Sequence, residues 1–312
     1  MSMVQEKQNT KLVQKQEKFE VKPNRHHDRM VHIELNRPAL REFFAAVSDV
    51  DSQRLQYVPF MRFIIAGKMR ELFGQSFEKV LRGIIHDRQT GAFTIGVQGE
   101  TTDSDDFVKF GTAISHLIGT PNFDAMSGTY YARFTVKDTD NSDSYLRQAY
   151  RTFTLHTDGT YLEEQTDWLL MMKMDERNAV GGESRLLHLD DWEELEKFSK
   201  HPLAAHKYCY RGSASKNEEK VVYRPTFYEF NNAPCMSFID QFPYPENIEQ
   251  AVYLKELSES MEQSAGTVAF PLPVGELVMA NNMFWLHGRA AFEKHLDLHR
   301  ELMRQRGIFA RV

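Results

Sequence analysis

Apolar residues change their spacing partway along the chain, and the change predicts two kinds of structure. Residues 38–74 and 106–119 carry them at helical spacing: Leu40, Phe43, Phe44 and Val47, then Leu72 and Phe73, and later Phe107, Phe110, Ala113, Ile114, Leu117 and Ile118. Pro38 suits a first helical turn, Pro59 predicts a break, and Gly119 with Pro121 predicts a stop. Residues 91–99 alternate like a strand between these helices. From Thr129 onward the texture is β-rich, with strands predicted at 130–136, 152–156, 167–174, 184–189, 276–279 and 301–310. Surface helices are predicted at 190–199 and 247–263, with aromatic, proline-punctuated segments between them.

The first 28 residues are rich in Gln, Lys and Glu without a sustained apolar period. They read as a flexible N-terminal arm or an edge segment, ahead of a single domain over residues 29–312. Many short strands with helices gathered in the first third predict an α+β fold with a mainly β core. That core is a barrel or a double-stranded β-helix (jelly roll) with flanking helices. Neither a Rossmann glycine fingerprint nor a P-loop is present.

Composition narrows the function classes. A net charge of −6 and a pI near 6.1 argue against a nucleic-acid-binding surface, while leaving room for a small basic pocket that suits an acidic substrate. Cys209 and Cys235 form no CxxC pair, which excludes zinc ribbons and redox dithiols. They are expected to be reduced, buried thiols of a cytoplasmic protein. No apolar run approaches a membrane span, and the N-terminus lacks a signal-like apolar region.

The candidate chemistry is a metal centre. His-x-Asp occurs four times, ending at Asp28, Asp158, Asp190 and Asp297. In a strand, residues two apart point to one face, so a copy at a strand end aims both side chains into one pocket. Only His156-Thr157-Asp158 has an alternating strand before it and a Gly159-Thr160 turn after it. The copy at His26 lies in the polar arm, Asp190 reads as a helix cap, and the copy at His295 sits in a charged loop. A third ligand must come from a distant strand. His287, behind Met283-Phe284-Trp285-Leu286, is the candidate. Two imidazoles and one carboxylate hold Fe(II) on one face and leave the opposite face open. An HExxH pair, the mark of many zinc hydrolases, is missing.

An open-faced iron needs a chelating electron donor, and the remote carboxylate of a keto acid needs a cation. Arginine binds carboxylate with a planar, permanently charged fork. Arg304 and Arg306 share one strand face, whereas Arg300 reads as part of a solvated stretch beside His299 and Glu301. Ser184, after the Gly181-Gly182 turn, can hydrogen-bond a carboxylate, or the segment is a plain hairpin.

These motifs together resemble the Fe(II)/2-oxoglutarate-dependent dioxygenases, in particular the clavaminate synthase-like and taurine dioxygenase-like branch. The strings 113–144, 145–148, 155–160, 187–193, 240–242, 284–289 and 300–307 narrow the resemblance to the carbon-starvation-induced (CsiD-type) glutarate 2-hydroxylases, over about residues 30–310. Asn281-Asn282 stands where Asp-Asn is common, a departure at a turn and not at a ligand. The resemblance implies a jelly-roll oxygenase domain with iron on His156, Asp158 and His287. It implies 2-oxoglutarate as co-substrate on Arg306 first and Arg304 second, with Ser184, and O₂ as oxidant. It further implies hydroxylation of glutarate to L-2-hydroxyglutarate in lysine degradation, release of succinate and CO₂, and a homotetramer without nucleic-acid or membrane partners. A second cationic contact for the diacid is expected from Arg304, Arg133 or Arg147, with Ser127 and Tyr131 (and Tyr130) as hydroxyl contacts, although core packing suits the tyrosines better. The alternatives are a sibling oxygenase acting on another small acid and a non-catalytic jelly-roll binding protein.

Overall fold

Caps divide the helical third more finely than apolar spacing suggests. The computed structural model describes residues 18–139, 148–212, 216 and 220–310. The Asn36 side chain accepts from the Ala39 amide at 3.1 Å, and Pro38 occupies the first turn of the helix Arg37–Ala46, which buries Leu40 and Phe43. The run expected over 38–74 then breaks twice. Asp51 accepts from the Arg54 amide and opens a short helix, Ser52–Tyr57, before Pro59–Phe73 begins. A further helix, Gln75–His86, was not expected from the sequence, although Phe77, Leu81 and Ile85 recur every fourth residue and are all fully buried. In the helix Ser104–Ile118, every residue from Phe107 onward is buried.

Two sheets face each other. In the larger, the strands run in the order Phe19–Pro23, Val31–Leu35, Ala92–Gly96, Glu276–Asn281, Trp168–Arg177, His299–Phe309 and Gly119–Pro121, and Ala132–Lys137 also pairs with His299–Phe309. The smaller runs Val268–Phe270, Ser184–His188, Trp285–Arg289 and Phe153–His156. Neighbours are antiparallel except Val31–Leu35 with Ala92–Gly96. Side chains from both sheets line one interior cavity. The architecture is therefore the expected α+β fold with a double-stranded β-helix core.

Helices cover the outer face of the larger sheet, where Leu170, Met172, Leu277, Met279 and Met303 pack against Phe107, Phe110 and Ile114. A second core lies behind the smaller sheet and includes Leu257 and Met261 of the helix Ile248–Gln263. Burial of both cores is the main stabilising term, at about 25 cal/mol per Å² of apolar surface removed from water.

The edge-segment alternative holds for the N-terminal stretch, and three other expectations change. Within the N-terminal arm, Phe19–Pro23 is an edge strand, because Phe19 is buried edge-on against Phe77 at a ring separation of 5.1 Å; residues 1–17 lie outside the described residues. The helix expected over 190–199 shrinks to a turn, Leu189–Asp191, and a short helix, Leu195–Ser199. Asp190 is not its cap. The His188 imidazole accepts from the Asp190 amide at 3.0 Å, and the Asp190 carboxylate pairs with Arg88 at 2.6 Å. Cys235 is buried and Cys209 half-buried, both as free thiols. Among the described residues, no helix is long and apolar enough to cross a membrane.

Candidate metal centre

His156 ends its strand at the point where the chain must turn toward the cavity. The Thr157 amide donates to the Phe238 carbonyl at 2.9 Å, and the Phe238 amide donates to the Thr157 hydroxyl at 3.0 Å. Gly159 then adopts φ +76°, and a Cβ there would lie 2.1 Å from Thr166 Oγ1, so the turn requires glycine. Asn282 clamps this turn. Its Oδ1 accepts from the Asp158 amide at 2.8 Å, while its Nδ2 donates to the carbonyls of Asp158 and Thr166 at 3.0 and 2.8 Å. Asn282 thus holds the backbone of a candidate ligand, a role that the turn-prone asparagine pair did not disclose in the sequence.

His287 lies on the adjacent strand in direct register with His156, with ring centroids 4.1 Å apart. Gly288 lets the strands approach, because a Cβ there would sit 2.5 Å from the Phe153 carbonyl oxygen. One ligand atom each from His156, Asp158 and His287 falls within 4.8 Å of the other two, and all three residues are buried. His156 Nδ1 donates to the Thr154 carbonyl at 2.7 Å, which leaves Nε2 as the lone-pair nitrogen, 3.9 Å from Asp158 Oδ1.

Protonation favours ligation. Burial pushes the His156 imidazole below its ordinary value against the pull of Asp158, and burial followed by the His156 charge pushes His287 well below. Burial raises the Asp158 carboxyl, but Arg304, His287 and Arg306 together hold it below the usual carboxylate range. Two neutral imidazoles thus face one carboxylate. His287 Nδ1 has no hydrogen-bond partner among the described residues, as expected of a buried atom that serves a ligand. The donor set fits a divalent metal.

Cations flank the triad on two sides. A cavity of about 60 Å³ is lined by His156, Ser184, His287, Arg289, Arg300 and Arg304, with Phe134, Phe153, Met171 and Leu302 as apolar wall. That is room for about four or five water-sized groups. Arg300, read from the sequence as solvated, is only 3% exposed, since strand alternation turns Arg300, Leu302, Arg304 and Arg306 to the inner face. Among the described residues, no carboxylate lies within ion-pair distance of Arg300. Burial lowers its pKa to about 10 against the opposing pull of Glu176 and Glu183.

On the Asp158 side, Arg304 Nη1 lies 3.0 Å from Asp158 Oδ2, and its Nη2 donates to Asp124 Oδ2 at 2.8 Å. Arg306 Nη2 lies 3.7 Å from the same Asp124 oxygen, and its Nη1 donates to the Tyr161 hydroxyl at 3.4 Å. Asp124 was not singled out in the sequence, which carries no local sign of its two arginine partners.

Other expected contacts lie elsewhere. Arg133 faces outward and grips Glu301 with bonds of 2.7 and 2.8 Å, because Ala132, Phe134 and Val136 take the inner face of its strand. The Tyr131 hydroxyl accepts from Gln56 at 2.6 Å, and the Tyr130 hydroxyl bonds Thr112 at 2.7 Å, both within the helical core. Ser127 is exposed and meets Asp124 only through its amide. Arg147 lies outside the described residues.

Solved structures share this architecture. An asparagine oxygenase described in complex with Fe(II), 2S,3S-3-hydroxyasparagine and succinate superposes with a TM-score of 0.71 at 15% identity, covering 87% of this chain and 91% of that one. A non-heme iron oxygenase, OrfP, described in complex with Fe and alpha-ketoglutaric acid, gives 0.64 at 16% identity over 87% and 91%. At such identities the likeness shows the fold. The CsiD family model matches residues 19–309, nearly the whole chain, and the protein therefore belongs to the CsiD family.

Proposed function

We propose that the protein is an Fe(II)/2-oxoglutarate-dependent oxygenase that hydroxylates glutarate to L-2-hydroxyglutarate, with release of succinate and CO₂. The observation that carries this reading is the convergence of His156, Asp158 and His287 beside a cavity that also holds the Arg300 guanidinium, which has no ion-paired carboxylate among the described residues. A three-ligand set leaves positions for a chelating co-substrate and O₂, and iron with those two supplies the oxidising chemistry when bound. OrfP, which shares the fold, is described with both iron and the keto acid.

The chain's own residues do the positioning. Arg300 and Ser184 reach the cavity from facing sheets and are assigned the far carboxylate of 2-oxoglutarate. Arg306, favoured from the sequence, does not line that cavity. It is held with Arg304 around Asp124, so both are assigned to the substrate. Phe134, Phe153, Met171 and Leu302 keep water from the reacting groups. Orientation and dryness are the protein's contribution to such a reaction.

The test is succinate release by iron-loaded protein across four- to six-carbon diacids, with product identified by mass. Glutarate-dependent release with a hydroxylated five-carbon diacid is expected. Turnover that favours another acid would overturn the substrate, and no diacid-dependent turnover at all would overturn the reaction class.

A further inference from the structure

Among the described residues, the strand that carries His156 is the outermost of the smaller sheet, so one of its edges has no neighbouring strand. On the other edge it pairs with Trp285–Arg289, His156 opposite His287 and Phe153 opposite Arg289, and the register shifts between these two pairs. The peptide joining Thr154 to Leu155 lies in that shifted stretch, and both of its polar groups bond to side chains. Its carbonyl accepts from His156 Nδ1 at 2.7 Å, and its N–H donates to Glu262 Oε1 at 2.6 Å.

Glu262 stands in the last turn of the helix Ile248–Gln263. The helix dipole opposes a carboxylate there, so helix stability does not account for the residue. Its second oxygen accepts from Arg185 Nη1 at 2.6 Å. Arg185 belongs to Ser184–His188, the strand on the far side of Trp285–Arg289, where it lies opposite Gly288. One side chain therefore ties together the two strands that flank the His287 strand.

We propose that Glu262 is a positioning residue for the metal centre and acts on His156 through the Thr154–Leu155 peptide. Its negative charge polarises that peptide, and a polarised peptide has a stronger acceptor at its carbonyl. The Thr154 carbonyl then grips the His156 Nδ1 hydrogen more firmly, which fixes the ring with Nε2 toward Asp158 and makes Nε2 a better electron donor. A carboxylate bonded directly to a ligand histidine has the same effect; here one peptide unit is interposed. The proposal rests on the ligand triad described above and names the group that tunes one member of it.

The experiment measures Fe(II) affinity by anaerobic competition with a chelator, and the His156 Nδ1 proton by NMR of the Zn(II)-loaded protein. Glu262→Ala should weaken Fe(II) by about tenfold or more, whereas Arg185→Met, which breaks the ion pair and spares the Leu155 contact, should stay within about threefold of wild type. Glu262→Gln can still accept from Leu155 but carries no charge; it should move the His156 Nδ1 proton upfield, and Arg185→Met should leave that resonance in place. The glutamine variant carries the test if the alanine variant does not fold. Unchanged affinity in Glu262→Ala, an equal loss in Arg185→Met, or an unmoved proton in Glu262→Gln would overturn the role of Glu262 and leave the oxygenase reading standing. Wild-type protein that retains neither metal would overturn the triad as well.

Discussion

Replacing Arg300 by Met separates the two arginine assignments. In the free protein its guanidinium is buried with no ion-paired carboxylate among the described residues, and its pKa falls from 12.5 to about 10. A drop of that size corresponds to about 3 kcal/mol by which burial disfavours the charged form. A carboxylate entering the cavity relieves this and adds charge-assisted hydrogen bonds; losing one partner of such a buried pair costs about 2–5 kcal/mol. Taking about 3 kcal/mol, Arg300→Met should raise the KM for 2-oxoglutarate by about 150-fold. Because methionine removes a buried charge and keeps much of the side-chain volume, the free protein should keep or gain thermal stability. Arg306→Met should leave the KM for 2-oxoglutarate within about threefold and raise that for the diacid. Steady-state succinate release with each ligand varied in turn, alongside thermal melts, measures all of these. The reverse pattern, in which Arg306→Met damages 2-oxoglutarate use and Arg300→Met does not, would refute the assignment.

Further outcomes follow from the same geometry. Asn282→Ala removes three buried hydrogen bonds around the ligand turn and should cost about 2–4 kcal/mol of stability, with iron affinity down about 10- to 100-fold; urea unfolding and competition with a chelator would show it, and unchanged iron retention would sink the clamp. Gly159→Ala places a methyl group against Thr166 in a left-handed turn and should lose iron binding by isothermal titration while its far-UV circular dichroism stays native. His116 is buried, and desolvation lowers its pKa to about 4, against the support of the Thr112 carbonyl. Its folded-state pKa lies below the unfolded value near 6.5, so its contribution is complete above 6.5 and fades as pH falls toward 4. Between pH 7 and 5, wild type should therefore lose about 2 kcal/mol more than His116→Leu in urea melts, and parallel curves would disprove it.

Local pattern exposed what local geometry controls. The alternation before His156, the Gly-Thr turn after Asp158 and the apolar run before His287 all correspond to real features of two adjacent strands. Strand parity also carried information that charge obscured. Arg300 shares parity with Arg304 and Arg306, but its neighbours His299 and Glu301 made the segment look solvated, because one face of that strand reaches water. The same parity would have turned Arg133 outward, since Ala132, Phe134 and Val136 claim the inner face. Asp124 and Asn282 had no such sign. Each acts on residues remote in sequence, and only the closed double sheet brings them within reach. The helix Gln75–His86 was legible in Phe77, Leu81 and Ile85, but Gly83 and the short polar stretches around these residues weakened the signal.

Placing three guanidinium groups on one face of a single strand makes the protein sensitive to parity. One residue inserted before Arg300 would swing the whole set onto the helix-covered side, stranding cations against methionine and phenylalanine while emptying both anion pockets. Two inserted residues would preserve orientation and slide the ladder by about 7 Å. Relatives that evolve toward longer or shorter acids are therefore expected to trade side chains at fixed rungs, and to leave the length of this strand alone.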